Sequence, residues 1–253
     1  MRILLTNDDG VYAPGLGALH RSLSQNHEVT VVAPETEQSA VGHSITLADP
    51  IRVRALGNRT GFKGFAITGT PADCVKLAVH ELMDQSPQLV VSGINLGANL
   101  GVNLLYSGTV SAANEAALQG LASVAVSLDT HTGSDFSFAA DFTAYLVENL
   151  DHLPLPAATP LNVNIPDLPA SEIRGIRFTR QSRSRIKERF VRRTDPRGHV
   201  YYWLGGETMG TEGDQDTDYP ALLAGYITIT PVRYDLTNHE ALESLLDFQI
   251  KMP

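Results

Sequence analysis

Two adjacent carboxylates, Asp8 and Asp9, follow the short apolar run Ile3-Leu4-Leu5 and precede the chain-breaking Gly10. Like charges this close repel unless a positive charge sits against them. Both are hard anionic oxygen donors, and a small divalent cation takes oxygen ligands while keeping several waters. Ser39 and Asn95 fall in two later polar loops and can add neutral oxygens. A site with few protein ligands and several waters suits chemistry on phosphate oxygens. A further polar stretch, Ser107-Gly108-Thr109, opens a helical segment. Backbone N–H groups at a helix start attract anions, and the two hydroxyls add donors. Taken singly, Asp8, Asp9, Ser39 and Asn95 read first as caps or turn formers, and Ser107–Thr109 serves equally as a simple helix cap. Their clustering at the ends of apolar runs is what favours a site.

The surrounding elements explain how these residues can meet. Strand-like runs lie at Ile3–Thr6, Val29–Ala33, Leu89–Ser92 and Ser123–Ser127. Helical stretches lie at Gly15–Gln25, Pro71–Gln85, Thr109–Gln119 and Phe136–Leu150. The Pro71 stretch has the clearest start, with Thr70 as cap, Pro71 at the first helical position and Asp73 in the first turn. Strand-helix alternation with continuously apolar strands predicts an α/β fold, a parallel sheet covered by helices on both faces. Sites in such sheets lie beyond the carboxyl ends of the strands. The polar loops sit at those ends: "TNDDG", "APETEQSAVGHS" and "SGINLGANLGVNLLYSGT". In the last, Gly93, Gly97 and Gly101 allow the backbone to turn tightly near a ligand.

"PLNVNIP" reads as the strand that ends this core, and the chain then changes character. Residues Arg174 to Arg197 hold ten of the nineteen Lys and Arg, and the acidic "ETMGTEGDQDTD" follows. "GYITITPV" reads as a strand and His239–Ile250 as a closing helix. Arg183, Arg185, Lys187 and Arg189 alternate, so a strand would put them on one face, where they would draw an anionic substrate. "GYITITPV" is too apolar for a bare edge, so the segment beyond Asp167 is expected to pack against another chain.

Several classes are disfavoured. The 253 residues are 43% hydrophobic and carry a net charge of −9, a poor balance for holding duplex nucleic acid through its phosphates. The single cysteine, Cys74, excludes an internal disulfide and suits the cytoplasm. The first apolar run is too short for a signal peptide or a membrane span. "NRT" at Asn58 matches the glycosylation pattern but reads as a surface loop. A dinucleotide fingerprint around Gly15 and Gly17 fails at His20. An aspartyl-phosphate mechanism would need its nucleophile where Asn7 stands, and an amide cannot serve. The calcium-loop look of "GDQDTD" fails at Tyr219 and Gly225, leaving a solvated turn with Asp218 as a helix cap. His43 lies in a loop from which it can reach the site.

Six blocks run in order from Met1 to about Val232: "MRILLTNDDGVYAPG", "VVAPETEQSAVGHSIT", "GTPADCVKLA", "VVSGINLGANLG", "YSGTVSAANEA" and "GYITITPV". Together they resemble the SurE family, the survival protein E phosphatases. The resemblance implies a single α/β phosphatase domain over 1–253. Its three-layer Rossmann-like core of mostly parallel sheet would span 1–168. A C-terminal β-arm and helix, 169–253, would be exchanged between subunits of a homodimer or homotetramer. It implies a metal-dependent 5'-nucleotidase acting on nucleoside monophosphates, with breadth towards other phosphate esters and short polyphosphate. The family's ligands for one divalent cation, Mg²⁺ or Mn²⁺, match Asp8, Asp9, Ser39 and Asn95. Its phosphate-binding region matches Asn99, Ser107, Gly108 and Thr109. Ala117 departs from the pattern, where Gly is expected, inside a helix. The competing reading from a different class is a nucleotide-binding sensor without turnover.

Overall fold

The computed structural model describes residues 1–57, 61–130, 132, 135–183, 185–209, 215–246 and 248, with the backbone alone at 185–188 and 207–209. Asn58, the start of "GDQDTD" and the side chains of Arg185 and Lys187 therefore lie outside the described residues. Arg183 and Arg189 are exposed.

The chain folds in the order β1 (Arg2–Thr6), α1 (Pro14–Leu23), β2 (Glu28–Pro34), β3 (Val53–Ala55), β4 (Gly64–Ile67), α2 (Pro71–Leu77), β5 (Leu89–Leu96), α3 (Gly108–Leu118), β6 (Ala122–Asp129) and α4 (Ser137–Glu148). There follow β7 (Pro160–Pro166), β8 (Ile176–Phe178), β9 (Arg185–Thr194), β10 (Val200–Met209), α5 (Asp218–Leu223), β11 (Ile227–Pro231) and α6 (His239–Leu245). A nine-stranded sheet has the order β3-β4-β2-β1-β5-β6-β7-β11-β8. From β4 to β7 the neighbours are parallel, while β3 and β11 run antiparallel to β4 and β7. Strand β8 pairs parallel to β11.

The apolar runs follow from burial on both faces. In β1, Ile3 and Leu5 join the core under α1 and α4, and Leu4 joins the core under α2 and α3. Successive residues of a strand face opposite sides, so a strand covered twice must be apolar at every position. Helix α2 starts as its sequence predicts: the Thr70 hydroxyl accepts from Asp73 N (3.1 Å) and Asp73 Oδ2 accepts from Thr70 N (2.9 Å). It is shorter than its pattern, widening after Leu77 into a π turn over Ala78–Leu82.

Outward from β1 the chain builds β2 and β4, then returns to the other side of β1 with β5. That reversal opens a crevice at the carboxyl ends of β1 and β5, the usual ligand position in such sheets. "GYITITPV" departs from expectation. Its strand β11 is not an edge needing another chain, because β7 and β8 of the same chain flank it. Residues beyond 168 thus supply two strands to the main sheet, while β9 and β10 form a separate hairpin.

Candidate active site

The three polar loops are stitched together at the crevice. Gln38 N donates to the Asp8 carbonyl (2.8 Å), and Gly42 N donates to the Tyr106 carbonyl (2.9 Å). Leu96 N donates to Asp9 Oδ2 (3.3 Å), tying the first loop to the end of β5. Asp8, Asp9, Ser39, Asn95, Asn99 and Ser107 all line one cavity of ≈ 720 Å³. Three further lining residues, Leu204, Gly205 and Gly206, come from the hairpin strand β10. A wider groove of ≈ 1090 Å³ beside Pro156 and Pro231 offers one carboxylate, Asp235, already paired with His239 at 2.9 Å.

Asp8 is the buried member of the pair, 5% exposed. Thr109 holds it at both oxygens: its hydroxyl donates to Oδ1 (2.6 Å) and its backbone N–H to Oδ2 (3.2 Å). Burial pushes the Asp8 carboxyl above the usual range, and these bonds offset only part of that. Asp9 is pushed up to about 6 by burial first, then by the neighbouring Asp8 and Glu37 charges, against the bond from Leu96. Without a counter-ion, burial and mutual repulsion disfavour having both carboxylates of this corner ionised.

The start of α3 is built against Asp8. Ser107 is the cap, its hydroxyl accepting from Val110 N (3.1 Å). A Cβ on Gly108 would stand 2.8 Å from Asp8 Cβ, so only glycine permits this approach. Gly108 and Thr109 are buried behind Ser107. The hydroxyl of Thr109 is directed at Asp8 rather than at the cavity that Ser107 lines.

Asn95 donates through Nδ2 to the Gly97 carbonyl (2.6 Å), leaving its amide oxygen as the other polar end. Ser39 donates its hydroxyl to Glu37 Oε1 (2.5 Å). Asn99 is gripped from β7: Asn164 Oδ1 accepts its N–H (2.7 Å), and Asn162 and Asn164 both donate to its carbonyl (2.9 and 3.0 Å). Its side chain donates to Ser127 Oγ (2.9 Å). His43 lies elsewhere, against Glu115 Oε2 at 3.0 Å, with Lys76 on Oε1 at 2.7 Å. Burial alone would raise the Glu115 carboxyl, but bonds from His43, Lys76 and Gln119 hold it low.

Glu37, Asn103, Tyr106 and the hairpin wall are among the lining residues that the sequence did not single out. Glu37 stands two residues before Ser39 in the second polar loop. The wall had no local signal, because only tertiary folding carries residues 204–206 back over the first loops.

The family model described as "Survival protein SurE" matches residues 3–188. The chain is 54% identical over 245 residues to the 5'-nucleotidase SurE of Syntrophobacter fumaroxidans, covering 97% of this chain and 98% of that one. It is 52% identical to the 5'-nucleotidase SurE of Moorella thermoacetica, over 97% of this chain and 95% of the other. A crystal structure of the SurE protein from Aquifex aeolicus superposes with a TM-score of 0.83 at 41% identity, covering 97% of this chain and 98% of that chain.

Proposed function

The chain belongs to the survival protein SurE family, and from that premise we propose that it is a 5'-nucleotidase, hydrolysing nucleoside monophosphates to nucleoside and phosphate with one bound divalent cation. The observation that carries this reading is the Asp8–Asp9 pair. A buried and a half-buried carboxylate meet where burial and mutual charge already favour a bound positive charge, beside a helix start.

The donor set fits a hard cation. Asp8 and Asp9 supply two adjacent carboxylates, Ser39 and Asn95 supply neutral oxygens, and Glu37 lines the same cavity. Asp8, Asp9, Ser39 and the Asn95 amide oxygen would hold Mg²⁺ or Mn²⁺. When bound, the cation supplies charge neutralisation and polarises the phosphoryl group. Thr109 keeps Asp8 oriented through both carboxylate oxygens. Ser107, the first turn of α3 and Asn99 receive the phosphate oxygens, where helix-start N–H groups favour developing negative charge. Water attacks phosphorus in line, the bond to the ester oxygen breaks, and the nucleoside leaves as the alcohol. Other phosphate esters and short polyphosphate share the phosphoryl end and are accepted on the same grounds.

The expected result is phosphate release from nucleoside monophosphates on adding Mg²⁺ or Mn²⁺, and none in chelator. Binding without release would favour a sensor and overturn the hydrolase.

We further propose a homodimer or homotetramer, in which residues 169–253 contribute to the contact. Exposed Phe190, Tyr202 and Trp203 on the hairpin and Leu242, Leu245 and Leu246 on and after α6 support it. Light scattering at micromolar concentration should give at least twice the 27.3 kDa chain mass; a monomer would refute it. Among the described residues no helix is long and apolar enough to cross a membrane. The lone buried Cys74 suits a cytoplasmic setting, and the acidic charge disfavours duplex nucleic acid.

A further inference from the structure

Asp218 stands far along the chain from the carboxylate pair, yet its hydrogen bonds lead back to the site. The sequence makes it a solvated helix cap, but it is 0% exposed and the cap position of α5 belongs to Thr217. A capping carboxylate needs only N–H groups of its own helix. Asp218 accepts one of these, from Tyr219 (2.8 Å to Oδ1). Its other bonds reach two distant segments: Ser182 N donates to Oδ1 (2.9 Å) and Gly101 N donates to Oδ2 (3.0 Å). Burying a carboxylate is costly unless such donors satisfy it.

Gly101 is held at its other backbone group too, because Gln181 Nε2 donates to its carbonyl (2.6 Å). Gly101 has φ of +53°, in the left-handed region, and lies two residues past Asn99. Gln181 and Ser182 lie a few residues before β9, whose hairpin partner brings Leu204–Gly206 to the cavity. The root of that hairpin is itself fixed, since Asp218 N donates to the Arg180 carbonyl (3.0 Å). One buried carboxylate and one amide thus join the Asn99 side of the cavity to its hairpin wall.

We propose that Asp218 and Gln181 are positioning residues for nucleotide binding, gripping Gly101 by its N–H and its carbonyl and so setting the spacing between the Asn99 loop and the Leu204–Gly206 wall. The proposal rests on reading the Asp8–Asp9 cavity as the nucleotide site. Asn162 and Asn164 anchor the same loop from the sheet; Asp218 and Gln181 anchor it to the hairpin.

The test uses the full chain with Mn²⁺ and a nucleoside monophosphate. Calorimetry gives Kd, phosphate release gives kcat and KM, and a thermal melt gives stability for Gln181→Ala and Asp218→Asn. Gln181 is exposed, so its variant keeps the fold even if Asp218→Asn does not. In Gln181→Ala, Kd and KM should rise about three- to tenfold, the loss of one hydrogen bond, with kcat within about twofold and an almost unchanged melting temperature. A folded Asp218→Asn should weaken binding at least as much. A merely structural tie would lower the active fraction, and hence kcat, without moving Kd or KM; that outcome, or an unchanged Kd in Gln181→Ala, overturns the proposal. If the parent binds nucleotide but releases no phosphate, the hydrolase reading fails while the comparison of Kd values still decides the grip.

Discussion

Asp9→Asn is expected to abolish nearly all metal-dependent phosphatase activity, by on the order of 100-fold or more, while leaving the metal-free protein at least as stable as the parent. The substitution keeps volume and keeps an oxygen to accept from Leu96 N, but removes the charge that Asp8 and Glu37 repel. Its pH dependence has a definite sign. The Asp9 carboxyl is raised in the fold from 3.8 to about 6. The folded protein therefore binds a proton more tightly than the unfolded chain. The stability this contributes is fully present below the unfolded value and is lost as pH rises through about 6. In chelator, the variant's melting temperature should draw level with the parent's near pH 4 to 5 and exceed it towards pH 7.5. Added Mg²⁺ or Mn²⁺ should raise the parent's melting temperature, since it binds only the folded site, and do less for the variant. The cation competes with the proton on Asp9, so its effect on the parent should shrink as pH falls below 6. A fully active but destabilised Asp9→Asn protein would remove Asp9 from the metal site.

Thr109→Val should cost both stability and activity, and Thr109→Ser should restore both. The Thr109 hydroxyl is the closest donor to Asp8 in the fold, at 2.6 Å, inside a corner where Asp8 is 5% exposed. Valine keeps the shape and leaves a buried carboxylate oxygen short of its donor, a loss of about 1–3 kcal/mol. A residue that orients a metal ligand through a hydrogen bond typically matters about 10- to 100-fold in affinity or activity. The loss should therefore appear first as weaker apparent affinity for Mn²⁺ and be partly recovered at saturating metal. Had the hydroxyl contacted the transferring phosphoryl group directly, excess metal would not recover the rate. Metal titrations of phosphate release on both variants, with melts in chelator, separate these outcomes.

Much of this was written locally in the chain. Ile3-Leu4-Leu5 is apolar at every position because both faces of β1 are covered, and that pattern survives in any parallel sheet. Thr70, Pro71 and Asp73 specify the start of α2 through bonds that span only three residues. The polar loops gather at one crevice because strand-helix alternation puts successive carboxyl ends on the same side. Residue types and order alone were enough to point to the family, and to pick out as candidates Asp8, Asp9, Ser39 and Asn95, which the fold brings to one cavity.

Other features were decided only by tertiary packing. Thr109 reads as a phosphate donor from its place at a helix start, but the close approach of α3 to β1 at Gly108 turns its hydroxyl to a partner 101 residues away. "GYITITPV" reads as an edge in search of another chain, yet β7 and β8 flank it, a pairing that no short stretch encodes. The wall at Leu204–Gly206 and the burial of Asp218 belong to the same class. A strand or a cap depends on neighbours a few residues away, so its signal is local. Which donor meets a buried carboxylate, and which backbone closes a cavity, depends on how distant segments fill space together, and that is settled only when the whole sheet is assembled.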